Sequence, residues 1–486
     1  MGRPVHWYDY ITINIYYLGL TTLSQTSGLI TPLLVQDFVG EEFKATFYGN
    51  LRLWSLMTAL LVQAGIGILS DRSASRFGRR RPFIFVGTIL ALIFFSGIGL
   101  SIGMDGLSGY WFLFIVALAL QFSASVGSSA QQGLIPDLVP EDKRGRFSGV
   151  KAILELPIPL LLVFLIVARS IDGGNIWGAL IVTMVVLLVT MLITMLVPEK
   201  PLAIHPPPLD WTPFLRLLLM TGLFTAIILG MGNFLQLIGR AIAGISSPSA
   251  LFVSIGVIGL TAMLIAIGLG VWACVRIGLG AAEVEHRSFT WWIISRLAFL
   301  VGVVNLSTFA VFYLQARLGF VRESAVGPGS TLILIVGVAI LLFALSSGWL
   351  ADRFGHKKLV ILSGLIASLG TLTAIRTADL TMVYLGGALI GAATGVFFTA
   401  SWALGTRLVP KAEAARFLGI SNLAGAGSGA VGAYIGGPIA DYFTRYVPEF
   451  PDLGYILLFG IYGVLFLLSA VAISRVRTPS HSMTSA

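Results

Sequence analysis

Apolar runs of about 20 residues recur from one end of the chain to the other, and the segments between them carry most of the charged side chains. A run of that length is what an α-helix needs to cross roughly 30 Å of hydrocarbon. A helix in a soluble core is shorter and keeps a polar face. The pattern predicts fourteen spans, at 11–35, 46–70, 83–104, 110–135, 151–168, 176–196, 213–238, 250–275, 291–315, 329–350, 358–376, 381–406, 418–440 and 453–474. No strand-like alternation competes with them, so the predicted class is an all-α polytopic membrane protein.

Composition sharpens this picture. Apolar residues make up 56% and charged residues 11% of the 486, against about 25% charged in soluble proteins. The segment 1–10 is polar and aromatic and runs straight into a full-length span, which is not the layout of a cleavable leader. The net charge of +9 is not a nucleic-acid signature, because the basic residues sit in short loops where they set orientation. With the N-terminus in the cytoplasm, 23 of the 31 Lys and Arg fall on the cytoplasmic side and eight outside. Both termini are therefore expected in the cytoplasm of a plasma membrane, the inner membrane of a bacterium. The lone Cys274 excludes an internal disulfide.

Two loops repeat. GILSDRSASRFGRRRP at 67–82 returns in shorter form as GWLADRFGHKK at 348–358. Leu138-Val139-Pro140 with Arg146, Phe147 and Gly149 returns as Leu408-Val409-Pro410 with Arg416, Phe417 and Gly419. A parallel internal repeat among membrane spans points to a transporter built from two halves. Aligned on the repeats, six spans precede the Pro-rich linker and six follow Arg287, leaving two between them. The predicted organisation is a six-helix domain at 1–196, a cytoplasmic linker at 197–212, an inserted two-helix hairpin at 213–286 and a second six-helix domain at 287–486.

The Gly, Asp-Arg, Phe-Gly and basic elements of the two loops resemble the signature cytoplasmic loop of the major facilitator superfamily. SDRSASRFGRRRPFI and GLIPDLVPEDKRGRFSG are similar to loops of the sucrose:proton symporters in the glycoside–pentoside–hexuronide group. The resemblance implies the major facilitator fold, with two six-helix domains around a central path. Asp71 and Asp352 end their spans at the cytoplasmic surface, where a carboxylate suits the positive end of a helix from the other half. Span 13 is the expected partner of Asp71, and span 5 of Asp352. Gly67 and Gly348 would permit close approach, and Arg72, Gly78, Arg79, Arg80 and Arg353 complete a latch that is made in one conformation and broken in the other.

Polar groups within spans are costly and tend to face a cavity. Tyr17, Thr21, Gln25 and Gly28 share one face of span 1, and Arg52 and Trp54 lie on span 2. Gln121 and Gln132 lie on span 4, Asn305 and Thr308 on span 9, Trp402 on span 12 and Asn422 on span 13. Amide, hydroxyl and aromatic groups are what a polyhydroxylated sugar requires. The sucrose-symporter resemblance implies an Asp and an Arg on the fourth helix, but Gln121 and Gln132 occupy those positions here. Span 2 also lacks the interior acids of the melibiose-type carriers. Glu155, just before Pro157 and Pro159, is the candidate proton-coupling group, with a pair to Lys151 as its plainer role.

The expected function is a cation-coupled, proton-driven sugar or glycoside carrier working by alternating access, a monomer with no cofactor. A fourteen-helix drug or lipid-like proton antiporter is the alternative, opposed by the missing antiporter motif on span 5. A non-transporting scaffold or sensor ranks last. An enzyme is not expected, since there is no phosphate-binding loop and the five His show no metal-ligand spacing.

Overall fold

In hydrocarbon every backbone N–H and C=O must find its partner within the segment, so each apolar run becomes a helix. The computed structural model describes residues 6–199, 211–245, 247–279, 287–321, 324–376, 378–409 and 414–477, and among these it contains no strand. After a short helix Trp7–Thr12, fourteen long helical segments follow one another. They are α1 Tyr16–Val39, α2 Lys44–Asp71, α3 Arg81–Leu100, α4 Gly106–Leu138, α5 within 144–172, α6 Ile176–Thr194 and α7 Thr212–Ile242. The rest are α8 Pro248–Leu279, α9 Arg287–Thr308 with its continuation Ala310–Leu318, α10 Val326–Phe354, α11 His356–Arg376, α12 Leu380–Leu408, α13 Ala414–Tyr446 and α14 Leu453–Ser474. Most of the predicted linker, the end of the hairpin at 280–286, and the side chain of Asp352 lie outside the described residues.

Twelve of these helices are long and apolar enough to cross a membrane. The two outside that set, α1 and α13, are 24 and 33 residues long, which at 1.5 Å per residue is about 36 and 50 Å. Their Thr, Ser and Gly content lowers their hydropathy. Both are packed inside the protein and not against lipid, which is what allows that composition. α5 is broken by its prolines: Arg144–Glu155 ends at Leu156, and Pro157–Leu162 passes through a wide turn at Val163–Val167 into Ala168–Asp172.

The first six helices pack chiefly on one another through α3 with α4, α2 with α4 and α1 with α6. The last six do so through α11 with α12, α10 with α12 and α9 with α14. Two seams join these groups, α2 along α13 and α5 along α10. α7 and α8 pack together against α13, with α7 also reaching α2 and α8 reaching α9 and α14. Phe224 of α7 is buried where only glycine leaves room for its ring, at Gly270 of α8 and Gly427 of α13. The end of α14 and the basic loops share one face of the bundle, where Lys357 donates to the Ser474 and Val476 carbonyls at 2.7 and 2.8 Å. We call this the basic face and the opposite one the distal face.

Candidate functional site

A cavity of about 180 Å³ lies between α1, α2 and α4. α1 contributes Ser24, Ser27, Gly28 and Thr31; α2 contributes Tyr48, Arg52, Ser55 and Gln63; α4 contributes Gln121, Ser125 and Ser128. Arg52 is the one charged group in this lining, and its buried Nε has no hydrogen-bond partner. The cavity thus offers a guanidinium, two amides and several hydroxyls with no carboxylate to neutralise the charge.

The cavity coincides with the predicted path only in part. The face of α1 that lines it runs through Leu20, Ser24, Ser27 and Thr31, about one residue round the helix from the face predicted. Gly28 is common to both, but Thr21 and Gln25 are not in the lining. Tyr17 is buried under the Lys151 ammonium, 4.4 Å from its ring. Trp54 is 39% exposed and not in the lining, and Gln132 is exposed and donates to Ser128 at 3.3 Å. In the second half, Asn305 is buried and ties α9 to the Ser428 carbonyl of α13 at 3.1 Å. Thr308 donates to its own helix at Val304, Trp402 lies 5.4 Å from the Arg296 guanidinium, and Asn422 is exposed. None of these four lines the cavity. The Thr308 hydroxyl, satisfied by the carbonyl four residues back, needs no cavity. Ser24, Ser27 and Thr31 could have been found from their shared i, i+3, i+7 spacing.

Glu155 is half-exposed with Oε2 3.6 Å from Lys151 Nζ, and it is not part of the cavity wall.

The basic-face loop is built inside its own half. Arg80, only 5% exposed, pairs with Asp71, donates from Nε to Asp137 at 2.9 Å and from Nη1 to Ser70 at 2.7 Å. Arg79 also pairs with Asp137. Glu199, just after α6, accepts the backbone N–H groups of Arg80 at 2.7 Å and Arg81 at 3.1 Å and so closes the start of α3. Gly78 sits beneath it at φ +105°, a conformation and a space that exclude a side chain. Among the described residues Asp71 meets Arg80 of its own half and no residue of span 13. Gly67 faces Ser129 of its own half, Gly348 faces open space, and Arg353 stacks on Trp349 and Phe354 of its own helix. Arg72 is half-buried in the loop.

The distal face is closed instead. A side chain at Gly49 of α2 would run into the Ala433 carbonyl of α13, and one at Gly437 into the Ala45 carbonyl. Tyr48 packs edge-on to Phe309 and Phe312, with centroids 6.5 and 5.8 Å away. Lys44 Nζ reaches Gln315 of the opposite half at 2.8 Å. The two halves therefore meet beyond the cavity on the distal side.

Comparison with known proteins agrees with this geometry. A mutant form of the nucleoside transporter NupG superimposes with a TM-score of 0.65 at 14% identity, covering 96% of this chain and 99% of that one. A D-xylose–proton symporter gives 0.60 at 18% identity, covering 98% of each. Residues 299–486 match the family model of the Major Facilitator Superfamily. The whole chain therefore has the fold of these transporters, and its C-terminal part matches the superfamily's own model. Among curated relatives, the sucrose transport protein SUC3 of Arabidopsis thaliana is 36% identical over 82 residues, 17% of this chain and 13% of that protein. The proton-associated sugar transporter A of Homo sapiens is 28% identical over 137 residues, 26% of this chain and 18% of that protein. The matched stretches thus span less than a fifth of either relative.

Proposed function

We propose that this transporter carries a sugar or glycoside by alternating access, driven by a proton gradient, with the basic face in the cytoplasm. The observation that carries the reading is the cavity itself: hydroxyls, two glutamines and Arg52 arranged around a space closed to the distal side. Such groups give a polyhydroxylated ligand many hydrogen bonds, and the low dielectric around them strengthens each one. The partial likeness to sugar carriers supports the same class. The concentration of Lys and Arg on the basic face supports the orientation. In that orientation the structure is the inward-facing state, and Asp71 is the half of a latch that awaits the other state. The chain divides between the halves at 197–212, with α7 and α8 as an inserted pair at the α2–α13 seam.

Uptake of radiolabelled disaccharides into proteoliposomes, with imposed pH or sodium gradients, tests the reading. Accumulation that follows the pH gradient supports it. Gradient-independent equilibration would make the protein a uniporter, and export of hydrophobic cations without sugar uptake would replace the reading with the antiporter. Arg52 favours a second reading within the same class, a substrate bearing a carboxylate, because its charge meets no acid in the cavity wall. A uronic-acid glycoside competing better than its neutral parent would select it.

A further inference from the structure

The distal closure is held at both seams by one device, a carboxylate that accepts from a helix start of the opposite half. α2 begins after Phe43, a residue whose side chain makes no cap, and its first turn leaves N–H groups without a partner of their own. Asp441 of α13 supplies them across the seam: Oδ1 accepts from Ala45 N–H at 3.1 Å and Oδ2 from Thr46 N–H at 2.7 Å. Asp441 is 1% exposed. α10 begins after Ala325, which likewise makes no side-chain cap. There Asp172, the last residue of α5, accepts the Gly327 N–H at 3.1 Å.

The repeat relates these two contacts. Asp71 and Asp352, the landmarks of α2 and α10, lie 281 residues apart, and so do Thr46 and Gly327. Pro140 and Pro410, the landmarks ahead of α5 and α13, lie 270 apart, while Asp172 and Asp441 lie 269 apart. Each half therefore lends a carboxylate from the distal end of its fifth helix to the bare N-terminus of the other half's second helix. A carboxylate there satisfies orphan donors and meets the positive end of the helix dipole.

We infer that Asp441 and Asp172 are a pseudo-symmetric pair of positioning residues that lock the distal face shut, each capping a helix of the opposite half in this state and releasing it when the distal face opens. The inference rests on alternating access but on neither the substrate nor the coupling ion, and its test uses no substrate. Spin labels at Glu42→Cys and Glu449→Cys, two exposed positions flanking the α2–α13 seam, on a Cys274→Ser background, report the seam by pulsed electron–electron distance measurement in proteoliposomes. Asp441→Asn should raise the ratio of long-distance to short-distance populations about tenfold, and Asp172→Asn about threefold, since its carboxylate is exposed and accepts one N–H. The double variant should multiply these to about thirtyfold, because the caps sit on separate seams. Gly327→Ala, whose Cβ would stand 2.5 Å from Asp172 Oδ2, should match Asp172→Asn and add nothing to it. If Asp441→Asn is not recovered folded, Asp172→Asn and Gly327→Ala decide the matter at the solvent-exposed cap. Unchanged distance distributions in the folded variants, or an opening at Asp441 that Asp172 does not share, would overturn the paired lock.

Discussion

Arg80→Gln separates the two roles that meet in the basic loop. The guanidinium is nearly buried and makes three contacts, to Asp137 (side chain 20% exposed), to the Ser70 hydroxyl and to Asp71 (58% exposed). The Asp137 contact joins a buried cation to a largely shielded anion, so its loss costs about 1.5 kcal/mol, moderated because Arg79 still faces Asp137. The neutral Ser70 bond adds about 1 kcal/mol. The Asp71 pair is open to water on the carboxylate side and adds about 0.5 kcal/mol at most. Arg80→Gln should therefore cost about 2–3 kcal/mol, whereas Asp71→Asn should cost about 0.5 kcal/mol. Thermal unfolding of purified protein in detergent, followed by tryptophan fluorescence, should show Arg80→Gln several degrees below wild type and Asp71→Asn within about a degree of it. Asp71→Asn should nevertheless slow uptake, because in the proposed cycle its carboxylate acts in the state opposite to this one. Equal destabilisation by the two variants would refute the division, as would normal turnover in Asp71→Asn.

Arg52→Gln should leave folding intact but weaken substrate binding at least about tenfold, read as a rise in KM for uptake, since a charge-assisted contact is worth about 1.5–3 kcal/mol. Trp54→Ala, on the same helix but not in the lining, should leave KM unchanged. Phe224→Ala should lower stability by about 3 kcal/mol or more, measured by thermal unfolding, because the ring fills the space between α7, α8 and α13. Gly49→Val should push the Ala433 carbonyl away and open the distal seam, read as faster alkylation of a cysteine at Thr31 by a membrane-impermeant reagent. Glu155→Gln should abolish pH-driven accumulation while sparing exchange of internal for external substrate. Preserved accumulation would leave that residue only its Lys151 pair.

The fourteen helices could be read from the sequence because hydrocarbon admits few other ways to satisfy a backbone. The orientation of α1 could not. Polar residues occur on more than one of its faces, and Thr22 and Thr26 spend their hydroxyls on the Leu18 carbonyl and on Thr183 of α6. In a helix so furnished, polarity marks glue as readily as it marks a cavity. The loop at 67–82 was legible as a repeat within the chain, but the pairing of Asp71 with Arg80 of its own half was not, because the basic cluster offers the carboxylate several partners of one kind. In Gly432–Asp441 the packing is legible and the acid is not. Its Gly and Pro content reads as close packing, which holds at Gly437, yet the acid that ends it has no sequence signal beyond its offset from Asp172.

That offset bears on the proposed alternating-access cycle. A protein that alternates between two states needs closures of comparable strength on its two faces, or one state would absorb the whole population. The distal face is shut by two carboxylate caps and glycine-tight seams, each cap worth on the order of 1 kcal/mol. The basic face holds Asp71 on the same kind of terms, an exposed pair with Arg80 that costs little to surrender. Burial sets the difference: Asp441 leaves a dry seam where Asp71 leaves water. Opening the distal face must therefore be offset by contacts formed on the basic face. A single new cap by Asp71 does not balance Asp441 and Asp172 together, so balance requires α2 and α13 to close along their basic-face halves as well. Gly425, with nothing near it in this state, lies on that stretch of α13, and Gly67 lies on the matching stretch of α2.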